Sequence, residues 1–143
     1  LKIPKGSLWG KVQRGESVVN KDGIEIKPEQ VVGKNRSGRK FSFVTDTMYL
    51  PSIAKEVKGS DLLICEGMFA DGCEDQAKEK KHMTSRQAAT IARDSNALRM
   101  GLIHYSPRYN DKELNVLLEQ AQQVYPEARL TKDRMRIEIP YVE

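Results

Sequence analysis

The 143-residue sequence predicts an α/β layered fold, and three observations point to it. Apolar runs of strand length alternate along the chain with segments of helical period. Three of those runs end on a residue that can carry chemistry: Asp46, Glu66 and His104. The composition, 38% hydrophobic and 31% charged, is that of a globular chain and not of a disordered one.

Residues 1–40 stand apart from the rest. They are broken by Gly6, Gly10, Gly15, Gly23, Gly33 and Gly38 and by Pro4 and Pro28, with short apolar alternations at Leu8 to Val12, Ser17 to Asn20 and Ile24 to Ile26. Asn20-Lys21-Asp22-Gly23 is a hairpin-turn signal, because Gly supplies positive φ without steric cost. The stretch reads as small β-hairpins on loops, too thin to bury a core alone. From Phe41 the pattern changes. Phe41 to Thr45 is a short buried-strand candidate ending at Asp46, and Leu62 to Cys65 is a second, ending at Glu66. Ser85 to Asn96 is helical, with Ala88, Ala89, Ile91 and Ala92 on one face and Thr84 or Ser85 as N-cap. Met100 to Ile103 is a third strand, ending at His104. Asp111 to Tyr125 is a second helix, with Leu114, Leu117, Leu118 and Ala121 in one stripe and Pro126 as its stop. Met135, Ile137 and Ile139 alternate with Arg136 and Glu138, which predicts a final half-exposed strand.

Charge sharpens the division into residues 1–40 and 41–143. The first segment carries ten Lys and Arg against four Asp and Glu, and the remainder fourteen against sixteen. A basic appendage on a near-neutral body suggests a polyanion partner, although a solvated lysine-rich surface gives the same count. Cys65 and Cys73 are too few for a disulfide scaffold and read as free thiols in a reducing cytoplasm. No apolar run approaches the length of a membrane span, and the start at Leu1 has no secretory leader pattern.

In open α/β sheets ligands bind outside the carboxyl ends of the strands, so Asp46, Glu66 and His104 form one candidate site. Asp46 could ligate or bridge metal ions, or merely cap a turn. His104 suits zinc, and Arg108, four residues on, could hold a phosphate in a bidentate contact. A buried, satisfied histidine beside a surface arginine is the plainer alternative. His82, just ahead of a helix, could transfer protons, with a carboxylate such as Glu66 orienting it. It could equally be an exposed loop histidine among lysines. With two histidines in all, this chain alone falls short of the ligands two metal ions need.

Five segments, in order and spacing, resemble ribonuclease Z. They are Phe43-Val44-Thr45-Asp46-Thr47, Asp61 through Phe69 around Glu66, His82-Met83-Thr84, Gln87-Ala88-Ala89, and His104-Tyr105-Ser106-Pro107-Arg108-Tyr109. Upstream, Ile3-Pro4-Lys5-Gly6-Ser7-Leu8-Trp9-Gly10-Lys11 is similar to the Gly/Pro-rich part of that family's tRNA-binding arm. The resemblance implies the C-terminal half of a metallo-β-lactamase αββα sandwich behind an N-terminal arm. It implies a cytoplasmic, homodimeric endonuclease that hydrolyses the 3′ trailer from precursor tRNA with two zinc ions per active site. In it Asp46 would bridge the zinc ions and His104 would complete one zinc's shell. His82 would protonate the leaving oxygen, Glu66 would hold His82, and Arg108 would contact the scissile phosphate. Lys5, Lys11 and Arg14 would meet tRNA phosphates on the arm.

The family's HxHxDH segment, and the histidine between it and the arm, have no counterpart after Leu1. Thr45, Cys65 and Met68 are smaller departures within the motifs. The expectation is therefore a chain that needs a complementary half and is inactive, or nearly so, by itself. Two other readings remain open: a truncated RNA-binding module without metal chemistry, and a metallo-β-lactamase-fold hydrolase acting on another phosphodiester or ester.

Overall fold

The computed structural model describes residues 6–33 and 38–141. The chain divides into two compact units, Leu1–Ser37 and Gly38–Glu143.

The first unit holds helix α1 (Ser7–Gln13), strands β1 (Val18–Val19) and β2 (Glu25–Ile26), and a 3-10 turn at Pro28–Gln30. The strands pair antiparallel, with Val18 opposite Ile26. The Asn20–Gly23 turn forms as expected. Asn20 Oδ1 accepts from the Asp22 and Ile24 amides at 2.9 Å each, and Gly23 takes a φ of 78°. The expected strand at Leu8 to Val12 is instead helix α1. Leu8 and Val12 lie four residues apart, which puts both on one helical face. Val12, Val18 and Ile26 are buried together with Leu8, Val31 and Val32 packed around them, so this unit does have a small core of its own.

The second unit is a four-stranded, all-parallel sheet in the order β3 (Phe41–Val44), β4 (Leu62–Glu66), β5 (Met100–Ile103), β6 (Ala128–Leu130). Helices α2 (Ile53–Glu56), α3 (Glu74–Glu79), α4 (Ser85–Asp94) and α5 (Asp111–Gln122) lie in the crossovers. Parallel strands send every strand end to the same edge, which is why one edge collects the polar residues. Both long helices begin on reciprocal capping boxes, Thr84 with Gln87 and Asn110 with Glu113. Each such cap stabilises its helix by about 1 kcal/mol. Thr84, not Ser85, is therefore the cap of α4.

Residues of period two divide the sheet's faces. Leu63 and Cys65 of β4, with Met100 and Leu102 of β5, join Ala88, Ala89, Ile91 and Ala92 of α4 in the main core. Small alanines let α4 approach the sheet closely. Burial pushes the Cys65 thiol far above its ordinary range, with the neighbouring Glu66 charge adding to the effect, so Cys65 stays a neutral core side chain. The opposite face carries Phe41 and Phe43 beside Leu62 and Ile64.

Two strand expectations need correction here. Phe41 to Thr45 is not buried: β3 is an edge strand whose Phe41 and Phe43 are 55% and 58% exposed. The Met135–Ile139 alternation forms no strand, and the fourth strand is Ala128–Leu130. Backbone carbonyls of that later segment are taken by side chains rather than by a ladder. Arg99 Nη1 donates to Glu138 O at 2.8 Å and Arg39 Nη1 to Ile139 O at 2.6 Å.

This division of faces sets an expected stability contrast. Leu63→Ala should cost about 2–5 kcal/mol, whereas Phe43→Ala should stay within about 0.5 kcal/mol. Urea unfolding of the two variants checks it. Equal losses would mean that the Phe43 face is packed.

Candidate active site

Asp46 follows β3, Glu66 ends β4 and His104 follows β5, so three neighbouring strands deliver them to one edge. Asp46 and His104 are both non-glycine residues with left-handed backbone, at φ 51° and 57°. That conformation is costly for residues with a Cβ and tends to be kept where a side chain must be aimed. Here it turns both side chains off the strand ends toward one another. His104 Nδ1 lies 3.8 Å from Asp46 Oδ1, and Thr45 Oγ1 is 3.4 Å from the same nitrogen.

His82 arrives from the loop between α3 and α4. Its amide donates to Ala77 O at 2.8 Å, after Lys81 has taken a φ of 61°. A parallel bridge between Phe69 and Thr84 fixes the next residues against the strand-β4 exit, where the Ser85 amide donates to Phe69 O at 2.9 Å. Gly67 is required there, because a Cβ would come within 2.8 Å of Leu102 Cδ2 and 3.2 Å of Ser85 Cα. The His82 and His104 rings meet edge to face, with centroids 5.1 Å apart.

Glu66 is fully buried and has two partners. Its Oε1 accepts from the Thr47 amide at 2.7 Å, and its Oε2 lies 2.8 Å from His82 Nδ1. A carboxylate that already accepts from an amide is best served by a donor, so the His82 hydrogen belongs on Nδ1 when the ring is neutral. Nε2 is then the ring nitrogen left for other chemistry, and in the charged ring it is a donor.

Arg108 is exposed and braced. Its Nε donates to Ser106 Oγ at 3.0 Å and its Nη2 to Gln76 Oε1 at 3.3 Å, while the guanidinium sits 5.2 Å from the centre of the Phe69 ring. Phe69 also neighbours His82, with ring centroids 6.4 Å apart, so Arg108 and His82 flank one aromatic ring.

Five of the sequence-derived site residues, Asp46, Glu66, His82, His104 and Arg108, therefore belong to this edge of the second unit. Lys11 and Arg14 belong to the first unit and are exposed, Arg14 donating to Glu16 at 3.4 Å. Lys5 lies outside the described residues. Sequence reasoning missed Thr47, whose contribution is a backbone amide and leaves no side-chain signal. It also gave no role to Phe69, Gln76 and Ser106, which brace Arg108.

Asp46, His82 and His104 each offer a ligand atom, all within 4.8 Å of one another. Imidazole and carboxylate together suit a borderline divalent ion. His82 is already committed through Nδ1 to Glu66, which leaves Asp46 and His104 as the freer pair. The donors present thus fit one side of a metal site and do not complete the roughly four ligands it needs.

A family model described as beta-lactamase superfamily domain matches residues 26–105. The chain belongs to that superfamily. Among sequence relatives, it is 60% identical over 99% of its length to a ribonuclease Z of Treponema denticola and 54% identical over its full length to that of Treponema pallidum. It covers 46% of each, so it spans about half the length of the curated relatives it matches. Among solved structures, the short form of human tRNase Z aligns with a TM-score of 0.55 at 30% identity, covering 81% of this chain and 37% of that one. This member of the superfamily accordingly displays part of a metallo-β-lactamase domain, with the α/β architecture the sequence led one to expect. Among the described residues no helix is long and apolar enough to cross a membrane.

The left-handed turn at Asp46 sets up a separation of stability from metal binding. Asp46→Gly removes the carboxylate and relieves the backbone, so folding stability should stay within about 1 kcal/mol of the parent. Titration with Co2+ should show affinity weakened by about tenfold or more. Unchanged Co2+ affinity would remove Asp46 from the ligand set.

Proposed function

We propose that this chain is the C-terminal part of a zinc-dependent endoribonuclease that removes the 3′ trailer of precursor tRNA. The reading includes a homodimer acting in the cytoplasm. The observation that carries it is the pairing of buried Glu66 with His82 beside Asp46 and His104, in a chain so similar to proteins named ribonuclease Z. A basic first unit adds support, since a small substrate needs no such clamp.

In this reading Asp46 and His104 hold zinc together with ligands from a complementary half. Zinc, when bound, lowers the pKa of water and neutralises phosphate charge. Arg108 meets the scissile phosphate with the guanidinium donors left over from Ser106 and Gln76. Glu66 keeps the His82 ring oriented through the 2.8 Å contact at Nδ1, which leaves Nε2 to face the leaving oxygen. As the bond from phosphorus to the 3′-oxygen breaks, that oxygen takes the proton from His82 Nε2. A water oxygen forms the new bond to phosphorus, and the water's proton passes to a base of the complementary half. Lys5, Lys11 and Arg14 contact tRNA phosphates away from the cut.

The test is trailer removal from an end-labelled precursor tRNA by the chain assembled with the missing half of the domain, in zinc buffer. The parent assembly should cut and the 143-residue chain alone should not. His82→Ala should slow the assembly by about 100- to 10,000-fold, the usual worth of a positioned general acid. An assembly that binds tRNA but never cuts it would overturn the reading, as would full activity in His82→Ala.

A further inference from the structure

A cleft of about 360 Å³ opens beside His82, lined by Met48, Tyr49, Glu74, Asp75, Lys78, His82 and Gln87. It lies in the range of small-ligand sites. None of Asp46, His104 and Arg108 lines it, and of the candidate site residues only His82 does.

The chemistry of the walls selects an occupant. Glu74 and Asp75 outweigh the single Lys78, which disfavours a phosphate and favours an uncharged group with hydrogen-bond donors. Among the described residues Glu74 Oε1 accepts from the Gly72 amide at 3.0 Å and the Asp75 carboxylate has no hydrogen-bond partner. Gln87 spends its Oε1 on the Thr84 amide at 3.0 Å, which turns its amide nitrogen into the group left to donate. Tyr49 and Met48 supply an aromatic and a polarisable surface, the kind on which a base stacks. Tyr49 follows two residues after the Thr47 amide that anchors Glu66, so the aromatic wall and the catalytic pair are fixed by one short segment.

We propose that this cleft seats the nucleoside immediately 5′ of the cut, the one whose 3′-oxygen leaves. Its base lies against Tyr49, and Glu74 and Asp75 accept from its exocyclic amino group. The inference rests on the proposed nuclease reading, in which His82 gives its proton to that oxygen. The residue that protonates the leaving oxygen must sit at the sugar carrying it, and His82 is also a wall of this cleft. Selection at the cut site then comes from carboxylates that prefer a base bearing an amino group, such as adenine or cytosine, over uracil.

The experiment is an NMR titration of the full 143-residue chain with adenosine, cytidine and uridine, each carrying a free 3′-hydroxyl. Saturable shifts are expected at Met48, Tyr49, Asp75, His82 and Gln87, stronger for adenosine and cytidine than for uridine. Tyr49→Ala should weaken binding by about tenfold while Tyr49→Phe retains it. Because Tyr49 packs against the core and its alanine variant is at risk of not folding, Asp75→Lys on the exposed face of α3 gives a second reading: it should erase the preference for amino-bearing bases. Absence of shifts up to about 10 mM nucleoside, or shifts away from the cleft, would overturn the proposal. So would an unchanged base preference in Asp75→Lys. The two readings fail separately. Trailer removal without nucleoside binding sinks the cleft alone, and nucleoside binding by a protein that cuts no tRNA sinks the nuclease reading while leaving an occupied nucleoside site.

Discussion

One buried carboxylate ties this site together. Glu66 is the last residue of a strand buried along its whole length, where an unpaired charge would be costly, and it meets two donors there. One is the amide of Thr47, the residue after Asp46. The other is the ring of His82, from a different crossover. Leaving a buried acceptor without a partner costs about 1–3 kcal/mol, and more when it is charged. The same bonds that satisfy Glu66 therefore hold the Asp46 turn and the His82 ring in fixed relation. Positioning and stability are one requirement here.

The sheet supplies the other half of that relation. All four strands run parallel, so their carboxyl ends share an edge, and the chain leaves β3 and β5 through left-handed residues that are not glycine. Asp46 and His104 keep side chains at positions where glycine would be easier. Strain of that kind persists when the surrounding structure over-determines it. Around Asp46 the Thr47 bond does so, and around His104 the core-packed Tyr105 that follows does.

Much of this was legible in the sequence because it lies on strongly patterned segments. The β4 run, the Ala88–Ala92 face of α4 and the β5 run are buried on regular elements, and period alone locates them. Polar residues at their ends follow from the parallel sheet. What was not legible depends on tertiary context. Phe41 and Phe43 have the composition of a core strand, yet lie at an edge with their rings exposed. Leu8 to Val12 alternates and still folds as helix, because packing on Val18 and Ile26 favours the four-residue spacing. Met135 to Ile139 alternates but has no neighbouring strand to pair with, while Ala128–Leu130, too short and too polar to stand out, fills the edge. The Thr47 amide could not be read from any side chain.

Hydrogen exchange at the Thr47 amide reports whether Glu66 joins the Asp46 turn to His82. Thr47 lies in no helix or strand, and Glu66 is the acceptor found for its amide. In the parent chain that amide should exchange far more slowly than an unprotected loop amide, and Glu66→Ala should release it while the amides of β5 stay protected. Fast exchange of Thr47 in the parent, or protection that survives Glu66→Ala, would contradict the claim.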